Sequence, residues 1–302
     1  MSLSVCTLVR NRNRMLERLV EGLDRSRTGP HELIVMRAGG DDPRVALGRA
    51  TRFSVVVEDL PDCGDRIAYS VARNAAARRA SGRYLCFMDA DMIPGRELVG
   101  SVSDALRAED AVCVGDLWYT DPAPVEVGWD EERLRARSRL HPERPVAPQS
   151  GWTRSSAYEM VWGSCFAMRR DRFHGLGGFD EGFQGYAGED TDLAMRCREA
   201  SVALLLVGRA PAYHQHHDVF EPPVQQFRAT LENARRFHEK HGWWPMGGWL
   251  AGFRDMGLIR WTGDRLDVVR DPSPAEVGTA RRNSAAPFRG ASAAHERSTT
   301  DA

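Results

Sequence analysis

Lysine is almost absent from this chain. Lys240 is the only lysine among 41 basic residues in a sequence of 302, and all the others are arginines. The sequence therefore offers no second lysine for a Schiff base and no Gly-Lys-Ser/Thr of a phosphate-binding loop. The formal net charge is −1. A nucleic-acid binder would carry a basic excess or a dense basic stripe, so we expect no nucleic-acid partner.

Long hydrophobic runs are also missing. The longest aliphatic stretch covers residues 202–207, whereas a helix that crosses a bilayer needs roughly 20 apolar residues. The first nine residues resemble a strand rather than a signal peptide. The six cysteines form no Cys-x-x-Cys pair and mostly lie within apolar segments, as reduced thiols do. We therefore expect a soluble, cytoplasmic protein without a transmembrane segment.

Short apolar runs alternate with helical patterns through most of the chain. Strands are predicted at residues 2–9, 33–36, 54–57, 84–88, 111–115, 161–168 and 202–207, and helices at 15–23, 67–80, 97–108, 190–200 and 224–237. This alternation predicts an α/β protein with a doubly wound, mainly parallel, Rossmann-like sheet flanked by helices in a single large domain. Ligands of such sheets bind at the carboxyl ends of the strands.

Two stretches lack this periodicity. Residues 119–158 are rich in Pro, Arg and Glu, and we expect an excursion or mobile loop across the open face. Residues 271–302 are rich in Ala, Ser, Thr and Arg with few large apolar side chains, which predicts a disordered tail.

Two aspartates, Asp89 and Asp91, follow the predicted buried strand 84–88. In an extended chain the i, i+2 spacing directs both side chains to one side, where a hard divalent cation would relieve their repulsion and bind a nucleotide diphosphate. The alternative is an ordinary turn before Pro94, where Asp is common.

Two further clusters indicate chemistry. Glu189, Asp190 and Asp192 begin a predicted helix. Capping of the helix N-terminus accounts for one of these three carboxylates. Additional carboxylates at such a position are typical of a catalytic base that faces a substrate hydroxyl. His214, His216 and His217 follow a strand. A single histidine is usually structural, whereas three in four residues, together with the aspartates, suit Mn²⁺ with open positions for phosphate oxygens.

Four motifs occur in a recognisable order. They are Ser-Val-Cys-Thr-Leu-Val-Arg-Asn-Arg at 4–12, Ala-Arg-Asn-Ala-Ala-Ala at 72–77 before Gly-Arg-Tyr-Leu-Cys-Phe-Met-Asp-Ala-Asp at 82–91, Gly-Gly-Phe-Asp-Glu at 177–181, and Gly-Glu-Asp-Thr-Asp at 188–192. Over about residues 3 to 220 the chain resembles the inverting nucleotide-sugar glycosyltransferases of the A-type fold, in the family 2-like group. Its second half is similar to galactosyltransferases. The resemblance implies a nucleotide-sugar-binding half at 1–115 and an acceptor-binding and catalytic half of the same domain at 116–270.

The resemblance also implies roles for individual residues. Asp190 would be the catalytic base, with Glu189 orienting the acceptor hydroxyl, and the acceptor would contact Trp162, Gly188 and Glu189. Asp91 would bind Mn²⁺ or Mg²⁺ with His214 or His217. The residues that would bind the donor nucleotide are Val9, Arg10, Asn11, Asp59, Arg73, Asp89, Ala90 and Asp91. The reaction would move a hexose from a nucleotide sugar, preferably a UDP-sugar, to a hydroxyl of a growing glycan, a lipid-linked sugar or a small metabolite.

Several alternatives stay open. Residues 36–42 read Met-Arg-Ala-Gly-Gly-Asp-Asp in place of the frequent Asp-Asp-Gly-Ser, so base recognition is undetermined, as is the choice among the three histidines. A sugar-phosphate nucleotidyltransferase is a second possibility, although residues 8–15 lack the glycine of its phosphate loop. A third is a catalytically silent carbohydrate-binding protein. The tryptophans between Trp243 and Trp261 are better explained by core packing than by peripheral contact with the inner membrane face.

Overall fold

The computed structural model describes residues 2–47, 51–61, 64 and 67–282. Within these residues we number fourteen strands and nine α-helices in chain order. The strands are β1 (Leu3–Val9), β2 (Glu32–Arg37), β3 (Ser54–Asp59), β4 (Tyr84–Met88), β5 (Met92–Pro94), β6 (Ala111–Val114), β7 (Leu117–Thr120), β8 (Ser138–Leu140), β9 (Trp152–Ser155), β10 (Cys165–Arg169), β11 (Ala203–Val207), β12 (Ala212–His214), β13 (Ile259–Thr262) and β14 (Arg265–Val268). The helices are α1 (Asn13–Asp24), α2 (Tyr69–Arg79), α3 (Leu98–Ala108), α4 (Glu131–Ala136), α5 (Arg170–Gly175), α6 (Glu189–Glu199), α7 (Phe227–His241), α8 (Gly247–Asp255) and α9 (Pro274–Ala280).

The main sheet has eight strands in the order β3-β2-β1-β4-β10-β6-β11-β9. The first four strands are mutually parallel, and β6 is parallel to β11. Strand β10 runs antiparallel to both of its neighbours, and β9 closes the edge in the antiparallel sense. The predicted α/β class with a mainly parallel sheet is confirmed. Because β1 to β4 share one direction, the residues that follow them collect along one edge.

Both faces of this sheet are covered, which explains the unbroken apolar runs in its strands. All seven residues of β1 are buried. Its odd-numbered residues 3, 5 and 9 pack with α1 and α3, while Cys6 and Leu8 pack on the other side with α2 and α6. Alternation of side chains along a strand produces this division, and it gives the protein two cores, one on each face of the sheet.

A second, four-stranded sheet has the order β5-β12-β7-β8. Strand β5 begins directly after Asp91, and β12 ends at His214. These two strands are antiparallel, with His214 opposite Met92. The pairing therefore brings the end of the first acidic motif next to the histidine cluster, which lies more than 120 positions further along the chain.

The segment 119–158 differs from the prediction of an excursion or mobile loop. It contains α4 and β8 as well as β9, which forms the edge of the main sheet. Asp130 caps α4 by accepting a hydrogen bond from the Arg133 amide at 3.1 Å. These elements have three to six residues each, so they are too short to show a hydrophobic period. The predicted strand at 161–168 begins only at Cys165.

A third core cluster lies at the C-terminal end of the described chain, where α7, α8, α9 and the β13-β14 hairpin pack together. The predicted disorder from residue 271 is wrong for the first part of this tail, because α9 forms with a capping box between Ser273 and Glu276. The remaining residues, 283–302, lie outside the described residues. Trp244, Trp249 and Trp261 pack against this cluster, in agreement with the core-packing interpretation, whereas Trp243 is not part of it and is 36% exposed. Among the described residues no helix is long and apolar enough to cross a membrane.

Candidate active site

The first acidic motif lies at the carboxyl end of β4, near the middle of the sheet. The Met92 amide donates to the Asp89 carbonyl at 3.0 Å, which forms a turn after the strand. Asp91 is only 4% exposed, whereas the Asp89 side chain is 36% exposed. The two carboxylates therefore differ in environment, and Asp91 is the one directed inward.

Asp91 meets two of the three candidate histidines. His217 Nε2 lies 3.3 Å from Asp91 Oδ2, and His214 Nε2 lies 3.8 Å from Asp91 Oδ1. One potential ligand atom from each of the three residues lies within 4.8 Å of the other two. Asp91 Oδ1 is buried without a hydrogen-bond partner. A buried carboxylate oxygen without a donor is costly, and a cation at this point would satisfy it.

The charge states of the cluster suit a metal ligand set. Burial would raise the pKa of Asp91, but His214, a hydrogen bond from His217 and the Arg12 guanidinium hold it well below its usual range. Burial lowers the pKa of His214 to about 4 against the opposing effect of Asp91. The carboxylate is therefore ionised and the His214 imidazole neutral at pH 7, which are the forms that coordinate metals.

Backbone hydrogen bonds around β12 determine which of the three histidines lie in the Asp91 cluster. The Gln215 amide donates to the Asp91 carbonyl at 2.8 Å, which extends the β5-β12 pairing by one residue. The His216 amide donates to Thr120 Oγ1 at 3.0 Å, and His216 is outside the three-residue cluster. Arg12, to which the sequence analysis assigns no role, contacts Asp91 Oδ2 through its guanidinium.

The second acidic motif begins α6. Gly188 has a φ of 97° at the N-cap, and a Cβ there would lie 3.2 Å from the Phe183 ring, so glycine fits both the left-handed backbone and the close approach. Asp190 Oδ2 accepts from the Gly163 amide at 2.8 Å, and its Oδ1 accepts from the Thr191 amide at 2.7 Å. These donors hold a partly exposed carboxylate in a fixed orientation next to Trp162.

Arg73 joins the two acidic motifs. Its guanidinium donates to Glu189 Oε1 at 2.6 Å and to Asp89 Oδ1 at 3.0 Å. Gly163 leaves room for it, since a Cβ there would lie 2.3 Å from an Arg73 nitrogen. Arg73 is 7% exposed. Arg73 thus forms an ion-pair link between the end of β4 and the start of α6, and its role as a nucleotide contact stays a prediction.

Glu189 has an unusual carboxyl group. It is 4% exposed, and its Oε2 is buried without a hydrogen-bond partner. Burial and the neighbouring Asp190 raise the pKa of Glu189 to about 7, although Arg73 acts in the opposite direction. Of the two carboxylates, Asp190 is the more accessible to a substrate hydroxyl.

Two buried asparagines, Asn74 and Asn233, hold the loops before α6. Asn74 Oδ1 accepts from the Phe179 amide at 2.9 Å, and its Nδ2 donates to the Phe179 carbonyl at 2.9 Å. Asn233 on α7 makes four such contacts with the segment 184–187. A polar residue on the buried face of a predicted helix is the signal that identifies Asn233.

The predicted nucleoside-binding residues lie at the ends of strands β1 and β3. Val9 is buried in the core, so only its backbone can face a ligand. Arg10 donates to the Gly64 carbonyl at 2.7 Å, and Asn11 Oδ1 accepts from the Asp41 amide at 3.0 Å. Asp59 pairs with Arg37 at 3.0 Å. This group lies along the same sheet edge as Asp89, and its role in binding stays a prediction.

Comparison with known proteins identifies two matching families. The family described as glycosyl transferase family 2 matches residues 4–176, which is more than half of the chain. The chain belongs to glycosyl transferase family 2. A second family, described as the N-terminal domain of galactosyltransferase, matches residues 144–219. The predicted resemblance in both halves is confirmed.

Relatives of this family 2 chain include two bacterial transferases. Validoxylamine A glucosyltransferase of Streptomyces hygroscopicus subsp. limoneus is 27% identical over 79% of this chain and 56% of its own length. An N-acetylglucosaminyl-diphospho-decaprenol L-rhamnosyltransferase of Mycobacterium tuberculosis is 34% identical over 46% of this chain and 40% of its own length. The chain thus spans about half of the length of these two relatives.

Solved structures share the fold at low identity. TarS of S. aureus in complex with UDP-GlcNAc has a TM-score of 0.55 at 13% identity, over 79% of this chain and 71% of that one. GalNAc-T7 with UDP, GalNAc and Mn²⁺ has a TM-score of 0.54 at 15% identity, over 80% of this chain and 51% of that one. The predicted glycosyltransferase A-type fold is confirmed.

Proposed function

We propose that this chain is a metal-dependent inverting glycosyltransferase that moves a hexose from a nucleotide sugar to a hydroxyl acceptor. The observation that carries the proposal is the convergence of Asp91, His214 and His217 at the carboxyl edge of the sheet, with a buried carboxylate oxygen that has no hydrogen-bond donor. A UDP-sugar is the preferred donor, since three of the structural neighbours were solved with UDP, UDP-GlcNAc, or UDP with GalNAc and Mn²⁺.

The residues that would hold Mn²⁺ or Mg²⁺ are Asp91, His214 and His217, because one carboxylate and two imidazoles leave positions for phosphate oxygens. A cation bound there would supply charge stabilisation for the diphosphate leaving group. Arg12 contributes a further positive charge at the same carboxylate. The donor diphosphate would therefore enter above β4, between the nucleoside-side residues and α6.

Asp190 is the proposed base. The acceptor oxygen forms a bond to the anomeric carbon as the bond to the diphosphate breaks, and the hydroxyl proton passes to the Asp190 carboxylate. The Gly163 and Thr191 amides fix the orientation of that carboxylate. Glu189 is held by Arg73 and lies directly before Asp190, and we propose that it helps to position the acceptor hydroxyl.

Replacement of Asp91 and Asp190 separates the two roles. Asp91→Asn should weaken binding of UDP with Mn²⁺ and also lower turnover. Asp190→Asn should leave UDP binding within twofold and lower turnover by roughly 10²- to 10⁴-fold, the usual contribution of a general base. Calorimetry with UDP and Mn²⁺, and release of UDP from a panel of UDP-sugars with and without acceptors, measure the two effects.

Asp104→Asn is a matched control, since Asp104 is an exposed carboxylate on α3. Full turnover by the Asp190 variant would disprove the base assignment, and unchanged binding of UDP with Mn²⁺ by the Asp91 variant would disprove the metal site. A wild-type protein that binds sugars without consuming any nucleotide sugar would favour the catalytically silent alternative.

A further inference from the structure

Arg144 is a cation beside the site that the assigned roles leave unused. Its guanidinium carbon lies 5.0 Å from the centroid of the Trp162 ring. Within the described parts of the chain no carboxylate lies at ion-pair distance from it. Asp116 acts on it at longer range, and that carboxylate is engaged by the Ala147 amide at 2.9 Å. Most arginines near the site are paired, as Arg73 is, so Arg144 is an exception.

The surroundings of Arg144 are largely apolar and aromatic. Burial lowers the pKa of Arg144, against opposing contributions from Tyr119 and Asp116, yet a guanidinium keeps its proton at neutral pH. Burial, together with the Arg144 charge, lowers the pKa of His141 to about 4, so His141 adds no charge at pH 7. A partly buried cation without a counter-ion is costly, and an incoming anion would recover that cost.

The location of Arg144 favours the acceptor over the donor. Trp162 directly precedes Gly163, whose amide donates to Asp190, so the Arg144–Trp162 pair lies next to the proposed base. On the other side, His141 stands edge-on to Trp162 at 4.9 Å, and Tyr119 stacks on His214 at 4.8 Å. Tyr119 and His141 are 5.7 Å apart, so a row of ring contacts runs from Trp162 through His141 and Tyr119 to His214 of the Asp91 cluster.

We propose that Arg144 and Trp162 form an acceptor subsite that binds an anionic group, a phosphate or a carboxylate, carried by the acceptor. The inference rests on the proposed function, because it requires that the acceptor enters beside Asp190. The guanidinium would bind two oxygens of the anion, and the Trp162 ring would cover the adjoining sugar. The acceptor class is thereby narrowed to sugars that bear an acidic group near the reacting hydroxyl.

Calorimetric titration of inorganic phosphate into the full chain, saturated with UDP and Mg²⁺ so that the donor site is filled, tests the subsite. We expect saturable binding that weakens at least tenfold in Arg144→Gln and weakens less in Arg144→Lys, which keeps the charge but loses the bidentate contact. Arg133→Gln removes one exposed positive charge from α4 in the same segment and should leave phosphate binding unchanged. A separate titration of UDP with Mg²⁺ should give the same affinity, within twofold, for wild type and Arg144→Gln.

Three results would overturn the subsite: wild-type protein that binds no phosphate under these conditions, phosphate binding that is equal in wild type and Arg144→Gln, or a parallel loss of UDP affinity, which would assign Arg144 to the donor diphosphate. The Lys variant separates loss of charge from misfolding. Failure of the proposed function would be seen differently, as absence of UDP binding, and titration of phosphate into the protein alone would then still report on Arg144.

Discussion

Replacement of Asn233 by alanine is expected to lower the free energy of unfolding by about 2–4 kcal/mol. Asn233 Nδ2 lies 3.1, 3.1 and 2.8 Å from the carbonyl oxygens of Gln184, Tyr186 and Ala187, and its Oδ1 accepts from the Gln184 amide at 3.1 Å. Two N–H groups and one acceptor therefore hold a loop that carries no regular secondary structure. Asn233 is 2% exposed, so water can replace its hydrogen bonds only by entering the cavity that alanine leaves.

The magnitude follows from the number of bonds lost. Each net hydrogen bond contributes about 0.5–1.5 kcal/mol, and a buried group left without a partner costs about 1–3 kcal/mol. Three lost bonds therefore give about 2–4 kcal/mol when part of the loop rearranges toward solvent. Asn233→Asp, although similar in shape, should cost at least as much, because a carboxylate would face the three carbonyl oxygens.

The same loop leads directly to Gly188 and the start of α6, so the Asn233→Ala replacement should also lower the rate of turnover. We expect at least a tenfold fall in turnover for Asn233→Ala, with UDP affinity within twofold, because the Asp91 cluster is held independently by β5 and β12. Urea unfolding and UDP release measure the two effects. Glu239→Ala, an exposed change on the same helix, is the control. An unfolding midpoint equal to that of wild type would refute the reasoning.

The sequence predicts those parts of the fold whose signal is local. Strands β1, β4 and β11 are recognisable because burial on both faces requires continuous apolar runs. The acidic residues after β4 could be placed at the ligand-binding edge for the same reason. Strands of three residues, such as β5 and β8, give no such signal, because their stability comes from partners elsewhere in the chain.

The choice of residues in the candidate site likewise depends on contacts between distant parts of the chain. The sequence supplies Asp91 and three histidines, but the choice of His214 and His217 depends on the register of β12 against β5, which sequence pattern does not encode. Arg12 is the N-cap residue of α1, and Asn233 lies within α7. Arg12 reaches Asp91, and Asn233 reaches the segment 184–187, only because these helices are packed in place in the folded protein. Side chains that act across elements are thus identified only once the tertiary arrangement is known.

Two further changes test the start of α6. Gly188→Ala should lower the free energy of unfolding by about 1–3 kcal/mol in urea, because φ is 97° and the new Cβ would press on the Phe183 ring. Gly175→Ala, which has open space around it, is the control, and equal losses in both would contradict the argument. The pKa of Glu189 is raised from 4.5 to about 7, chiefly by burial. The folded state therefore favours the protonated form, and this contribution to stability is full below about pH 4.5 and is lost as the pH rises to about 7. Glu189→Gln does not titrate, so between pH 5 and pH 8 its unfolding free energy should rise relative to that of wild type by about 2–3 kcal/mol. A difference that stays constant across that interval would show that the Glu189 carboxyl is ionised in the folded protein throughout, with Arg73 outweighing burial.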